Sequence, residues 1–382
     1  MICFTAFTQG TIDQVLEEVE KNNTGLKAFH DNMEARSKYN KTGIYLQNPE
    51  FDYAWFAGNP ASIGSKTNIS IRQQFDFPTS YSLKKNIAHT RNEQLQIEFE
   101  KYRMDLFLET RLLCLELIYT NAMVNESEKR LNHAQRLTDA FSRMLEEGEV
   151  NRIEYNKAKL NLLDLQKKTE RITMKQNALQ INLAALNGGI AISLEDTSFA
   201  SQPIVDDFEH WFNQVKENTP LLRWLQKEIT ISKQEQRLQR AMNLPSFNAG
   251  YVSESLTNEQ FRGFAVGISI PLWENKSTMQ FARAHTSALQ SEELDKKLQF
   301  YHQIRAQHTH AVNLKQSIEE YEILLTSVDN TDLLTRAWEA GEISLTAYLL
   351  ELSFIYQSRD NILEMQLELE QTLAKLYHYN DF

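Results

Sequence analysis

Three histidines, His302, His308 and His310, are the first candidates for chemistry, because imidazole binds metals and carries protons near neutral pH. A helix brings two zinc ligands together best at i and i+4, whereas His308 and His310 fall on different faces. The spacing therefore favours solvated histidines over a metal site. Two cysteines, Cys3 and Cys114, are too few for a disulfide framework or a cysteine-rich zinc site. Cys114 lies in LLCLELIY and reads as a small buried apolar residue. The sequence contains no Gly-rich phosphate loop, no HExxH pair and no nucleophile elbow. The expectation is a protein that is not an enzyme and carries no cofactor or metal.

Composition narrows the class further. The chain has 382 residues, is 42% hydrophobic and 24% charged, and carries a net charge of −11. This is the composition of a folded protein, and its acidic balance argues against a nucleic-acid partner, which needs a basic face. No run of eighteen apolar residues exists, so no transmembrane helix is expected. A membrane β-barrel stays open, because its strands alternate and never form an apolar block.

The placement of helix breakers shows the elements that must position any functional residue. Between Pro78 and Gly188 the one glycine is Gly148, and after Pro271 the one glycine is Gly341. Both stretches are rich in Leu, Glu, Gln, Lys, Arg and Ala, which are strong helix formers. Each reads as two long helices joined at one tight turn, the first pair over roughly 80–145 and 151–187. At about 1.5 Å per residue the first helix could span on the order of 100 Å, so it needs neighbours along its length. Tyr348, Leu352, Ile355, Ile362, Leu369, Leu373 and Leu376 alternate in steps of four and three, interrupted by Arg359 and Gln366. Leu162, Leu165, Ile172, Leu179, Leu183 and Leu186 do the same. These are heptad-like seams.

The chain also repeats itself. Pro78 and Pro271 are 193 residues apart, as are Gly148 and Gly341. The turns LEEGEVNRIEY (145–155) and WEAGEISLTAY (338–348) agree, and VEKNNTGLKA (19–28) is similar to VKENTPLLRW (215–224). The expected organisation is a first repeat over 11–190, a linker over 191–207 and a second repeat over 208–382. Each half holds two period-two segments before its long helix. Phe51, Tyr53 and Trp55 alternate in the first, and Ile69, Ile71, Phe75 and Phe77 in the second. Phe247, Ala249 and Tyr251, then Phe264, Val266, Ile268 and Ile270, do so in the other half. Period two predicts strands, and their length approaches the roughly 9–11 residues of a tilted membrane strand. Taken alone, they also fit two soluble hairpins packed on helices. Four strands cannot close a membrane barrel, which needs at least about eight. If they span a membrane, several copies must share one barrel.

From Thr11 to about Tyr379 the chain resembles the TolC family of outer-membrane efflux proteins. The carriers are the duplicated layout, NPEF and LPSF entering the first strand of each half, FDFP and ISIPLW leaving the second, and the paired turns EEGEV and EAGEI. QQFDFP and GEISL with YLLEL are most similar to partners of resistance-nodulation-division pumps of the cobalt–zinc–cadmium type. The resemblance implies a mainly α fold with a membrane β-barrel portion, built from a duplicated helix–strand–strand–long helix–helix unit. It implies a homotrimer with an α-helical barrel in the periplasm and one shared twelve-stranded β-barrel in outer-membrane lipid. The implied function is the exit duct of a tripartite efflux system, passing small molecules or metal ions from an inner-membrane pump and its periplasmic adaptor. The alternative is a soluble periplasmic coiled-coil scaffold that binds partners through the same hairpin tips.

By resemblance the adaptor docks at Gly148, Glu149, Val150, Ile153, Glu154 and Tyr155, and at Gly341, Glu342, Ile343, Ser344, Leu345 and Tyr348. Acidic gate rings of the family fall at places that here read Ala347 and Leu350, neither of them acidic. Glu351 beside them, and Glu154 after the first turn, are the candidate lumen or gate residues. The start, MICFTAFTQG, reads as a secretion-signal remnant over residues 1–10 with cleavage before Gln9.

Overall fold

The computed structural model describes residues 10–200, 202–273, 276–328 and 331–379. Residues 1–9 of the secretion-signal reading, Cys3 among them, lie outside the described residues, and its last residue, Gly10, opens a helix. Two helices, α1 (Gly10–Asn22) and α2 (Thr24–Tyr39), lead into strands β1 (Glu50–Ala57) and β2 (Ser65–Phe75). The long helix α3 (Pro78–Glu146) and its partner α4 (Arg152–Leu186) complete the first half. The order then recurs as α5 (Phe208–Asn218), α6 (Pro220–Met242), β3 (Ser246–Ser255), β4 (Gln260–Ser269), α7 (Thr278–Val328), α8 (Thr331–Glu339) and α9 (Leu345–Tyr377). Where one long helix was expected before Gly341, α7 and α8 lie on either side of residues 329–330, which are outside the described residues.

Most of the prolines stand at element boundaries. Pro78 and Pro220 open α3 and α6, where a missing backbone N–H costs nothing. Pro49 and Pro245 stand just before β1 and β3. The second strand of the first half ends at Phe75, two residues earlier than its apolar alternation. There the Asp76 backbone N–H donates to Tyr81 Oη at 2.9 Å and the Asp76 carboxylate pairs with Lys84 at 2.9 Å, so the next residues turn into the helix. Conversely, β3 and β4 extend beyond their apolar cores, because ladder hydrogen bonds need no apolar side chain.

The chain divides into two compact units, each drawing on both halves of the sequence. One unit comprises residues 1–28, 102–216 and 300–382. Its core includes Val19, Leu117, Leu183, Leu194, Leu373 and Leu376, each no more than 2% exposed. The α9 seam read from the heptads is buried at Tyr348, Leu352, Ile362, Leu369, Leu373 and Leu376. On α4 the seam is fully buried only at Leu179 and Leu183. Cys114 is fully buried, and burial pushes its thiol up to about 12, with Arg111 opposing.

The other unit comprises residues 29–101 and 217–299 and holds the sheet. Its helices are joined by charge-assisted bonds, including Arg91 to Glu235 at 2.7 Å and Arg223 to Glu100 at 2.8 Å. The sheet runs β1-β2-β3-β4, antiparallel throughout, so β2 of the first half pairs with β3 of the second.

Candidate functional site

Two parts of the molecule are built for contact with something else. The first is the sheet. Directly opposed residues of antiparallel strands share a face, so the register sorts side chains without ambiguity. Phe51, Ile71, Tyr251 and Phe264 form one row across all four strands. Phe75, Phe247 and Ile268 form another, and Ala249 sits opposite Val266 on the same face. Asp52 and Ser70, Arg72 and Glu50, and Asn248 and Gln74 occupy the opposite face, which is mainly polar but also carries Phe56, opposite Lys66, and Phe261, opposite Glu254. There Ser70 donates to Asp52 at 2.9 Å and Lys66 pairs with Glu254 at 3.0 Å. The apolar face lies open: Phe264 is 91% exposed and Val266 85%. Water-facing sheets show the reverse polarity, with the apolar face covered. The outer edges, β1 and β4, have no strand partner among the described residues.

The second part is the pair of turns joining the long helices. Gly148 and Gly341 have φ of 78° and 73°, a conformation that glycine adopts without strain. Glu149 N donates to Met144 O and Glu342 N to Ala337 O, each at close to 2.9 Å, the long bond of a glycine C-cap. Each turn then starts its next helix with a capping side chain at the same place in the repeat. Asn151 Oδ1 accepts from the N–H of Ile153 and Glu154, and Ser344 Oγ accepts from that of Ala347. Both turns rest on one cluster of Leu137, Phe141, Ala158, Leu345, Tyr348 and Leu352. Trp338 stacks between Phe141 and Tyr348, at 5.8 and 5.3 Å. The Tyr348 hydroxyl lies 3.2 Å from His133 Nε2 and from Thr335 Oγ1. Burial, helped by Arg136, holds His133 below the usual imidazole range. Lys157 Nζ donates to Thr346 Oγ1 at 2.8 Å, tying one turn to the other.

The site residues read from the sequence therefore separate by exposure. Gly148, Glu149, Ile153, Gly341, Glu342 and Ser344 are exposed, and Val150, Glu154, Tyr155 and Ile343 are half-buried. Leu345 and Tyr348 are inside the cluster, at 3% and 0% exposure, so their side chains hold the turns rather than present a surface. Glu351 is exposed on α9, and Glu154 sits in the first turn of α4, its N–H capped by Asn151. Of the histidines, His308 Nε2 lies 2.8 Å from the Val205 carbonyl oxygen and His310 Nε2 lies 2.9 Å from Glu368. His302 packs edge-on against Tyr301 at 5.3 Å. Sequence reading missed a third feature, the ion-pair cluster of Arg130, Asp360 and Lys168. Arg130 is 3% exposed, its Nη1 donates to Asp360 at 3.1 Å, and its guanidinium lies 4.5 Å from the Tyr356 ring centre.

A duplicated helical chain with an outward apolar four-stranded sheet and paired helical hairpins has the architecture of outer-membrane channels. Solved structures agree over nearly the whole chain. It is similar to CusC, whose structures concern folding and transmembrane channel formation, with a TM-score of 0.81 at 14% identity over 98% of this chain and 92% of that one. The outer membrane protein VceC from Vibrio cholerae gives 0.80 at 11% identity, over 96% of this chain and 95% of that one. The Campylobacter jejuni CmeC outer membrane channel gives 0.72 at 14% identity, over 96% and 85%. No protein-family model and no curated protein matches the sequence. The fold is thus that of these channels, and it is the fold that the TolC-family resemblance implies.

Proposed function

We propose that the chain is the outer-membrane exit duct of a tripartite efflux system, working as a homotrimer that reaches into the periplasm. The observation that carries this reading is the sheet, with its open apolar face, its polar reverse and its two free edges. An exposed aromatic and aliphatic face suits lipid, and a polar face suits a wet lumen. Free edges suit pairing with copies of the same sheet, since a closed barrel leaves no unpaired backbone in the bilayer. Three copies supply the twelve strands of one shared barrel.

In this reading the exposed turn residues Glu149, Ile153, Glu342 and Ser344 meet the periplasmic adaptor, with Val150, Glu154, Tyr155 and Ile343 at their margin. Gly148 and Gly341 set the reversal, and Leu345 and Tyr348 support it from within. Glu154 and Glu351 line the duct near its entrance. Small molecules or metal ions pass through, chosen and driven by the pump. The duct needs no bond-making chemistry of its own.

Planar-bilayer recording on detergent-extracted protein tests this. Discrete, long-lived conductance steps from a particle of three chains are the expected result. A monomer that stays in solution without detergent and never inserts would overturn it and leave the coiled-coil scaffold standing.

A further inference from the structure

We infer that the unit containing α4, α5 and α9 carries a binding pocket for a small organic cation, built around Glu370. This reading is independent of the exit-duct proposal. Glu370, on α9, is 8% exposed, yet its carboxylate has no hydrogen-bond or ion-pair partner among the described residues. Buried carboxylates are almost always paired, because an unpaired charge loses its hydration without replacement. Here the carboxylate opens onto a partly enclosed cavity of about 150 Å³.

The charged groups around this cavity are Asp13 from α1, Arg111 from α3 and Asp196 from the segment after α4. Arg111 lies 3.9 Å from the Asp13 carboxylate, so its charge is already answered. Asp196 and Glu370 have no basic partner among the described residues, which leaves the cavity negative. The Asp196 wall is built rather than loose. Asn121 Nδ2, buried on α3, donates to the backbone oxygens of Leu194 at 2.9 Å and Asp196 at 3.0 Å. Leu115, Ile118 and Phe199 supply apolar lining.

These features define the ligand. The acidic end asks for an ammonium or amidinium head, and the apolar wall for a hydrocarbon or aromatic body. A cavity of about 150 Å³ has the size that accepts a benzene ring. Burial pushes the Glu370 carboxyl up to about 7, so an entering cation would displace a proton from it near neutral pH.

The test is calorimetric titration of the full chain in detergent with benzylamine, and with benzyl alcohol as its neutral isostere. One benzylamine per chain is expected at about pH 8, weakening about thirtyfold at about pH 5.5 as Glu370 takes up its proton. Glu370→Gln keeps the shape and removes the charge, and should weaken binding at least about tenfold with the thermal melt retained. Ala374→Phe, which fills the cavity from the same helix, should also abolish binding. Benzyl alcohol binding as tightly, affinity independent of pH, unchanged affinity in Glu370→Gln, or no benzylamine binding at millimolar concentration would each overturn the inference.

Discussion

Arg130 on α3 and Asp360 on α9 face each other at 2.7 Å, Nη2 to Oδ1, although 230 residues separate them in the chain. Lys168 from α4 reaches the other carboxylate oxygen at 3.0 Å. One carboxylate therefore ties three helices, and Arg130 is too buried to be rehydrated if it is lost. Removing one partner of a buried pair typically costs about 3–5 kcal/mol, whereas an apolar replacement of both is near neutral. Asp360→Ala should lower the thermal midpoint strongly, and the double variant Arg130→Met, Asp360→Leu should recover most of it. Equal melts for the single and double variants would show that the pairing is unimportant.

The same carboxylate gives a pH dependence of known sign. Burial pushes Asp360 up, but the bonds from Arg130 and Lys168 outweigh it and hold the group below its ordinary value of 3.8. Its stabilisation is present above that value and is lost as pH falls through the lowered one. In an acid titration followed by circular dichroism, the gap between wild type and Asp360→Asn should narrow as pH drops below about 4.

Glu370 behaves oppositely. Burial raises it from 4.5 to about 7, so the folded chain holds a proton that the unfolded chain has released. Stability is full below 4.5 and declines as pH rises towards 7, by about 3 kcal/mol in all. Glu370→Gln should therefore match wild type near pH 4.5 and exceed it near pH 8, measured by melting without added amine. A variant less stable than wild type at both values would contradict the unpaired carboxylate.

Both features were hidden in the sequence for the same reason. Glu370 reads as one more acid in ELEQTL, and Asp360 follows Arg359, an interruption of the α9 heptads. Nothing local says that either is buried, or that Arg130 and Lys168 come from other helices to meet Asp360. What sequence does carry is local. Gly148 and Gly341 sit at their turns because a positive φ favours glycine, and the strands follow from side chains alternating at period two. Docking at Leu345 and Tyr348 came from the motif, and a motif cannot distinguish a side chain that supports a turn from one that presents it.

At Gly148 and Gly341 a Cβ would meet nothing within 4 Å, so substitution tests the backbone alone. Alanine at either position should cost about 1 kcal/mol through the left-handed conformation, and asparagine less. Thermal melts of Gly341→Ala and Gly341→Asn check this. Equal effects would mean that the turn changes conformation instead of bearing the strain.

On the sheet, the two faces should answer a charge differently. Val266 lies on the apolar face and is 85% exposed, whereas Asn248 belongs to the polar face. In a bilayer, Val266→Arg should cost about 2–4 kcal/mol at mid-depth, while Asn248→Arg would face water. Outer-membrane recovery and bilayer conductance should fall for the first variant and persist for the second. Equal tolerance of both would place the apolar face away from lipid.

An exposed apolar stripe on α4 offers a test of the proposed association of copies. Ile153, Leu160, Met174 and Ile181 recur at heptad spacing, with Lys167 at the intervening position, and all four apolar residues are more than half exposed. This stripe is separate from the Leu179 and Leu183 seam that the chain buries within itself. Such a narrow apolar row at period seven fits packing against another helix. If copies associate along it, Leu160→Glu with Met174→Glu should yield monomers by light scattering while keeping the helical circular dichroism signal of wild type. Trimers of unchanged stability would move the contact to other faces of the helices.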